Sequence, residues 1–280
     1  MERIDLHLHS IYSDGTFTPE EIVYKAKELK LKAISITDHD SVSGIEEELE
    51  VGKKLKVEII PGIEMSTDVG DDEIHILGYY IDWKDKKFLT QLKVFQESRA
   101  KRNKKLVERL KELGMPINHN ELKGLASKGG VISRLHIARL MKEEGYASSI
   151  GEAFEKWLNP GRTAHVKRMK VSPFEIIQSI LEIGGIPVFA HPYLSKRDDL
   201  IPDFVKAGLK GIEVYHSAHD AQAEEHYRKI AQKHHLLITG GSDCHGRAKD
   251  KVLMGTVNVP HLLLKDLKKA KEKLKCSLPI

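Results

Sequence analysis

Short runs rich in β-branched residues and leucine recur along the chain, each followed by a stretch whose apolar positions have helical spacing. RIDLHLH precedes PEEIVYKAKELKL, and AISITDHD precedes the charged stretch GIEEELEVGKKL. VEIIPGIEMS and EIHILGYYID come next, and after an interval GIPVFAHP, GIEVYH, LLITGGSDCH and TVNV. Helical segments such as SPFEIIQSILEIGG and DAQAEEHYRKIAQKHH lie between these later runs. This alternation predicts an α/β fold with mostly parallel strands. Polar, chemically competent residues sit at the C-terminal end of almost every predicted strand, where a parallel barrel builds its active site, so the pattern predicts a barrel.

From about residue 97 to residue 165 the rhythm changes to helix after helix, in RAKRNKKLVERLKELG, SRLHIARLMKEEG and SIGEAFEKWLN. This predicts a helical domain over 97–165 inserted into a barrel made of 1–96 and 166–280. The glycine and proline of LNPGRTAH mark the return to the barrel. KRNKK, inside the insertion, reads as a solvated helix face. Near the C-terminus, Leu262, Leu263, Leu267, Ala270 and Leu274 have helical spacing and predict an amphipathic closing helix, not a membrane anchor.

Composition narrows the class. Apolar residues are 40% and charged residues 31% of the 280, with both signs mixed, as in a soluble globular protein. The formal charge of +4 is too small for a duplex-binding stripe but leaves room for a local cationic pocket. No apolar run approaches the ~20 residues that span a bilayer, and MERIDLHLHS lacks a signal-peptide core, so a cytoplasmic protein is expected. Two cysteines, Cys244 and Cys276, form no CxxC pair and argue against thiolate zinc chemistry.

The histidines carry the chemistry. In DLHLHSIYSDG, a strand would place His7 and His9 on one face and Leu6 and Leu8 on the other. Reading the strand ends in order yields His7, His9, Asp14, His39, Glu64, His75, His191, Asp243 and His245. One tetrahedral ion needs three or four protein ligands, so this inventory suits two or three ions sharing carboxylates. Imidazole and carboxylate without thiolate suit manganese first, with iron or zinc as the other choices, and disfavour calcium.

The set HxHxxxxDG, TDHD, GxE, HxxG, AHP, GIEVY and GGSDxH resembles the polymerase and histidinol phosphatase family of metal-dependent phosphoesterases over nearly the whole chain. It is most similar to the branch acting on nucleoside 3',5'-bisphosphates and short 5'-phosphorylated oligonucleotides. The resemblance implies a distorted (β/α)7, TIM-like barrel with a helical insertion before the AHP segment. It implies a first metal on His7, His9, Glu64 and Asp243, a second on Asp14, His39 and His245, and a third on Glu64, His75 and His191. Many relatives carry histidine where Asp14 stands. Arg134, in ISRLHIARL, matches an arginine that clamps phosphate, a task suited to a planar guanidinium. Glu213, Tyr215 and His219 fall on family positions, with His219 the candidate phosphate contact. His136, Lys167 and Arg168 are further rim candidates, His216 stands where relatives often have a small polar residue, and Cys244 is expected to pack inward.

The expected activity is hydrolysis of a phosphate monoester by a metal-bridged hydroxide, with Arg134 neutralising phosphate and Asp243 accepting or relaying a proton. The expected partners are a small phosphorylated nucleotide and short oligonucleotides, not duplex DNA or a membrane. The alternatives are a histidinol-phosphate phosphatase and a non-catalytic metal-binding module. A nuclease working along single strands would call for stacking platforms, and only 6% of the residues are aromatic.

Overall fold

The computed structural model describes residues 2–125, 130–167, 169–248 and 251–277. Nine strands among them form two sheets. One has the order β3 (Glu58–Ile59), β2 (Leu31–Ile36), β1 (Arg3–Leu8), β9 (Val259–Pro260). The other runs β4 (Gly62–Val69), β5 (Asp72–Tyr79), β6 (Ile186–Phe189), β7 (Gly211–His216), β8 (Leu237–Gly241).

The sheets are mixed, which corrects the expectation of mostly parallel strands. β1–β2, β2–β3, β6–β7 and β7–β8 are parallel, whereas β4–β5, β5–β6 and β1–β9 are antiparallel. Only Gly70 and Asp71 separate β4 from β5, and Gly70 has φ +66°. Two residues close a hairpin, whereas a parallel connection needs a dozen or more. Single bridges join the sheets, Leu8 to Cys244 on one side and His39 to Glu64 on the other. No continuous ladder closes them into the expected seven-stranded barrel among the described residues.

Helices cover the sheets. In α1 (Pro19–Glu28), Thr18 and Glu21 form a reciprocal capping box, worth about 1 kcal/mol. Ile22, Val23 and Ala26 of α1 then pack on Leu31, Ile34 and Ile36, where a large-to-alanine truncation costs ~2–5 kcal/mol. The remaining helices around the sheets are α2 (Ile45–Leu55), α7 (Pro173–Glu182), α8 (Pro192–Ser195), α9 (Ile201–Lys206), α10 (Ala221–Lys233) and α11 (Leu262–Ser277). In α11 the expected Leu262 is 64% exposed, and Leu264 takes the buried position beside Leu267.

The helical block contains α3 (Lys86–Glu112), α4 (His119–Leu125), α5 (Arg134–Glu143) and α6 (Ile150–Ala153), followed by a π-helical turn over Phe154–Leu158. It has its own core, with Leu106, Leu110, Ile137, Met141 and Leu158. The 27-residue α3 runs unbroken through residue 97, with Phe88 and Leu92 in the main core and Leu106 and Leu110 in the second. KRNKK is only partly a solvated face: Lys101, Lys104 and Lys105 are exposed, but Arg102 and Asn103 are buried. No helix among the described residues is long and apolar enough to cross a membrane.

Candidate metal centre

All nine residues of the histidine and carboxylate set converge where the two sheets meet. His7 lies on β1 and His9 just beyond it, while Leu6 and Leu8 point into separate hydrophobic clusters. Gly241 ends β8 against this segment, where a Cβ would stand 2.3 Å from His7 Cβ. Only glycine permits that approach, which lets His7 accept the Asp243 N–H (2.9 Å) and His9 donate to the Cys244 carbonyl (3.0 Å). Gly15 does the same for the first loop: a Cβ there would meet the His9 carbonyl at 2.1 Å. The loop therefore folds back and presents Asp14 beside His9.

Glu64 is the hub. Its Oε2 lies 3.1 Å from His7 Nε2, 3.2 Å from His9 Nε2 and 3.2 Å from His39 Nδ1. Its Oε1 lies 2.8 Å from His75 Nδ1 and 2.9 Å from His191 Nε2. Asp243 Oδ1 is 3.1 Å from His9 Nε2, and Asp14 Oδ1 is 3.3 Å from His245 Nε2. Asp40, His191 and Asp243 all hold positive φ without being glycine. Such backbone costs about 1–3 kcal/mol per residue and is kept where the surroundings over-determine it.

The donor set fits divalent ions. Seven buried ligand atoms have no hydrogen-bond partner: His7 Nε2, His9 Nε2, His39 Nδ1, His75 Nε2, His191 Nδ1, Asp14 Oδ1 and Glu64 Oε2. Orphaned buried groups are costly, and unpartnered imidazole nitrogens and carboxylate oxygens are what cations satisfy. Four groupings lie within ligand range of one another: His9, Asp14, His39 and His245; His7, His9, Glu64 and Asp243; His39, Glu64 and His75; and His7, Glu213 and His216.

Electrostatics agree. Burial raises Glu64, but the His39, His7 and His75 imidazoles outweigh it and hold the carboxyl well below the usual range. Burial likewise opposes protonation of His9 and His75, yet carboxylates override it: Asp243 and Glu64 lift His9 to about 9, and Glu64 and Glu73 lift His75 to about 10. Burial wins at His39, which falls to about 3.

Around these residues lies a set of supporting contacts, including those of Asp38, to which the sequence reading gave no role. His245 Nδ1–H donates to the Asp243 carbonyl (2.9 Å), which frees Nε2 toward Asp14. Asp38, the first aspartate of TDHD, accepts from the Ser10 N–H and hydroxyl and from the Ser13 hydroxyl, bracing the first loop. Glu213 accepts from His7 Nδ1 (3.0 Å) and from the His191 N–H (2.8 Å).

The ligand cluster floors a cavity of about 460 Å³. Arg134, the first residue of α5, lines it and pairs with Glu73. Arg99, which the sequence reading missed, lines it too; it is buried and pairs with Asp40 while donating to Ser66 Oγ (2.9 Å). Its only signal is its place in α3, seven residues beyond the core residue Leu92 and on the same face. Leu135, Ile150, Phe154 and Leu194 supply an apolar wall.

Other expected contacts lie elsewhere. His219 does not line the cavity, because its Nδ1–H is drawn back to the Val214 carbonyl (2.7 Å) and its ring packs between His216 and Tyr227. Lys167 does not line this cavity; it is exposed, pairs with Asp71 at 3.0 Å, and lines an adjoining pocket with Arg134 and Glu73. His136 is buried and caps α5, its Nδ1 accepting from the Ser133 N–H (3.0 Å). Tyr215 accepts from Arg228, and His216 Nδ1 accepts from the Ala218 N–H with Nε2 3.7 Å from Asp243 Oδ2. Cys244 is buried in the core as expected. Arg168 lies outside the described residues.

Comparison with known proteins agrees with this geometry. The PHP domain profile matches residues 5–160. The chain is 31% identical to the 5'-3' exoribonuclease of Haemophilus influenzae over 249 residues, 87% of this chain and 90% of that one. It is also 31% identical to the 3',5'-nucleoside bisphosphate phosphatase of Chromobacterium violaceum, over 88% of each. A solved structure from Bifidobacterium adolescentis, assigned as a metal-dependent phosphoesterase, superposes with a TM-score of 0.89 at 27% identity, covering 96% of both chains. The chain belongs to the PHP domain family and is a metal-dependent phosphoesterase.

Proposed function

We propose that this cytoplasmic enzyme removes one phosphate from a small nucleotide, a nucleoside 3',5'-bisphosphate, and that short 5'-phosphorylated oligonucleotides enter the same site. The observation that carries the proposal is that two arginines, Arg99 and Arg134, line one cavity of about 460 Å³ together with seven of the nine cluster residues, all but His7 and His9. That volume is typical of small-molecule sites. A second anionic group on the substrate gives the arginines a partner besides the reacting phosphate, and the apolar wall gives a nucleobase a surface. The relatives named as a bisphosphate phosphatase and as an exoribonuclease support the same class. In this reading residues 97–165 form a cap that brings Arg99, Arg134, Leu135, Ile150 and Phe154 over the barrel end.

In this reading His7, His9, Glu64 and Asp243 hold one ion, Asp14, His39 and His245 a second, and Glu64, His75 and His191 a third. Manganese is the first choice, with iron or zinc as the others. When bound, such ions supply charge neutralisation and water activation. The protein's own groups do the rest. Arg134 and Arg99 exchange their carboxylate partners for phosphate oxygens and orient the substrate. Asp243, whose side chain borders the cavity beside His9, accepts or relays the proton of the attacking water. The apolar wall excludes competing water.

The test is a screen of manganese-loaded protein against adenosine 3',5'-bisphosphate, adenosine monophosphate, histidinol phosphate and a short 5'-phosphorylated oligonucleotide. The highest kcat/KM is expected on the bisphosphate. A preference for histidinol phosphate overturns the substrate assignment, and inactivity on every ester would make the chain a metal-binding module.

A further inference from the structure

The structure assigns to Glu213 the role of a positioning residue that ties the His7 ring and the His191 backbone to a single carboxylate, so that two parts of the metal cluster are set by one side chain. The inference rests on the ligand roles proposed above for His7 and His191. Glu213 lies on β7, fully buried. Its Oε1 accepts from His7 Nδ1 at 3.0 Å, and its Oε2 accepts the His191 N–H at 2.8 Å.

Both contacts bear on how the ligands are presented. A hydrogen bond from Nδ1–H selects the tautomer of His7 whose free lone pair is on Nε2. That nitrogen is buried, has no hydrogen-bond partner, and faces Glu64 at 3.1 Å. His191 sits at φ +26°, a backbone conformation side chains rarely adopt, and its amide is held by the same carboxylate. His191 Nε2 in turn meets Glu64 Oε1 at 2.9 Å, whereas His7 meets Oε2. Glu213 therefore grips from behind the two histidines that approach opposite oxygens of Glu64. The β7–β8 register also shifts between Glu213 and Tyr215, a local irregularity of the kind that re-aims side chains.

The test compares wild type, Glu213→Gln, Glu213→Asp and His7→Ala as full chains stripped with chelator, titrated with MnCl2 by calorimetry, with thermal unfolding of each. Glutamine keeps the shape but offers one acceptor where two donors arrive. Glu213→Gln is expected to weaken Mn2+ binding roughly 10–100-fold with the number of ions unchanged at saturation and turnover recovering as Mn2+ is raised. Glu213→Asp keeps the charge on a shorter arm and should fall between. It decides the matter if the glutamine variant does not fold. Mn2+ affinity within about twofold of wild type in the folded variants, with only Tm lowered, would reduce Glu213 to a structural residue and overturn the inference. Loss of one whole equivalent of Mn2+, with the remaining affinity intact, would make Glu213 a ligand itself and also overturn it. His7→Ala separates this outcome from a failure of the ligand reading: if that variant keeps every ion at full affinity, the ligand assignment itself is wrong.

Discussion

Arg134 pairs with the carboxylate of Glu73 at the wall of the cavity that the histidine and carboxylate cluster floors. In the proposed reading a phosphate bound there displaces Glu73, so the two residues together would set the affinity for a doubly phosphorylated substrate. Arg134→Ala should depress hydrolysis of the bisphosphate and leave the monophosphate rate nearly unchanged. Charged hydrogen bonds are worth roughly 1.5–3 kcal/mol, which is a loss of about ten- to more than hundredfold in kcat/KM. Glu73→Gln should lower KM for the bisphosphate by freeing the guanidinium. Equal losses on both substrates in Arg134→Ala would place the arginine on the reacting phosphate.

Removing single ligands should separate chemistry from folding. His39 and His191 are beyond the strand ends, above the packed cluster of Ile76, Phe189 and Ile212. His39→Ala and His191→Ala should abolish turnover, with a far-UV circular dichroism spectrum like that of wild type. Elemental analysis of wild type purified without chelator should find two to three transition-metal ions per chain. One ion or none would contradict a shared cluster.

Metal uptake should release protons. Without metal, Glu213 and Glu64 hold His7 well above the ordinary imidazole value, and His9 and His75 are raised to about 9 and about 10, so all three are charged at pH 7 and metal binding to them should release protons. Affinity for Mn2+ should then rise with pH from 6 to 9, and activity should fall on the acid side and be partly restored by added Mn2+. Calorimetry in buffers of different ionisation heat counts the protons directly. The same groups fix the sign for the metal-free fold: their folded values lie above 6.5, so the stability they contribute is full below pH 6.5 and is lost as pH rises through about 9 and 10.

Glu48 provides a separate stability test. It is fully buried on α2, and burial, with Asp38 nearby, pushes its carboxyl well above the usual range against a weaker opposing contact from the Ile36 backbone. Its contribution is therefore most favourable below about pH 4.5 and worsens as pH rises toward the elevated value. Glu48→Met, of similar volume, should stabilise the fold by about 1–3 kcal/mol, with a larger rise in Tm at pH 8 than at pH 5. An equal rise at both would mean that the carboxyl is ionised in the folded state.

Much of the site is legible in local sequence because ligand chemistry is tied to strand ends. HxH on β1 and the aspartate and glycine of SDG are short-range facts: period-two side chains and a loop folded onto His9 that leaves no room for a Cβ at Gly15. What only the tertiary structure decided concerns partners distant in sequence. Glu64 gathers five histidines from four segments, Arg99 turns out to line the cavity from just ahead of KRNKK, and Glu213 finds His7 206 residues away. His219, expected as a phosphate contact, and Lys167, expected at the rim, hold contacts with Val214 and Asp71 that no sequence pattern announces. Periodicity records which face a side chain occupies along its own element. Which hydrogen bond a histidine or arginine finally makes depends on the competition among every group that folding brings within 3 Å of it.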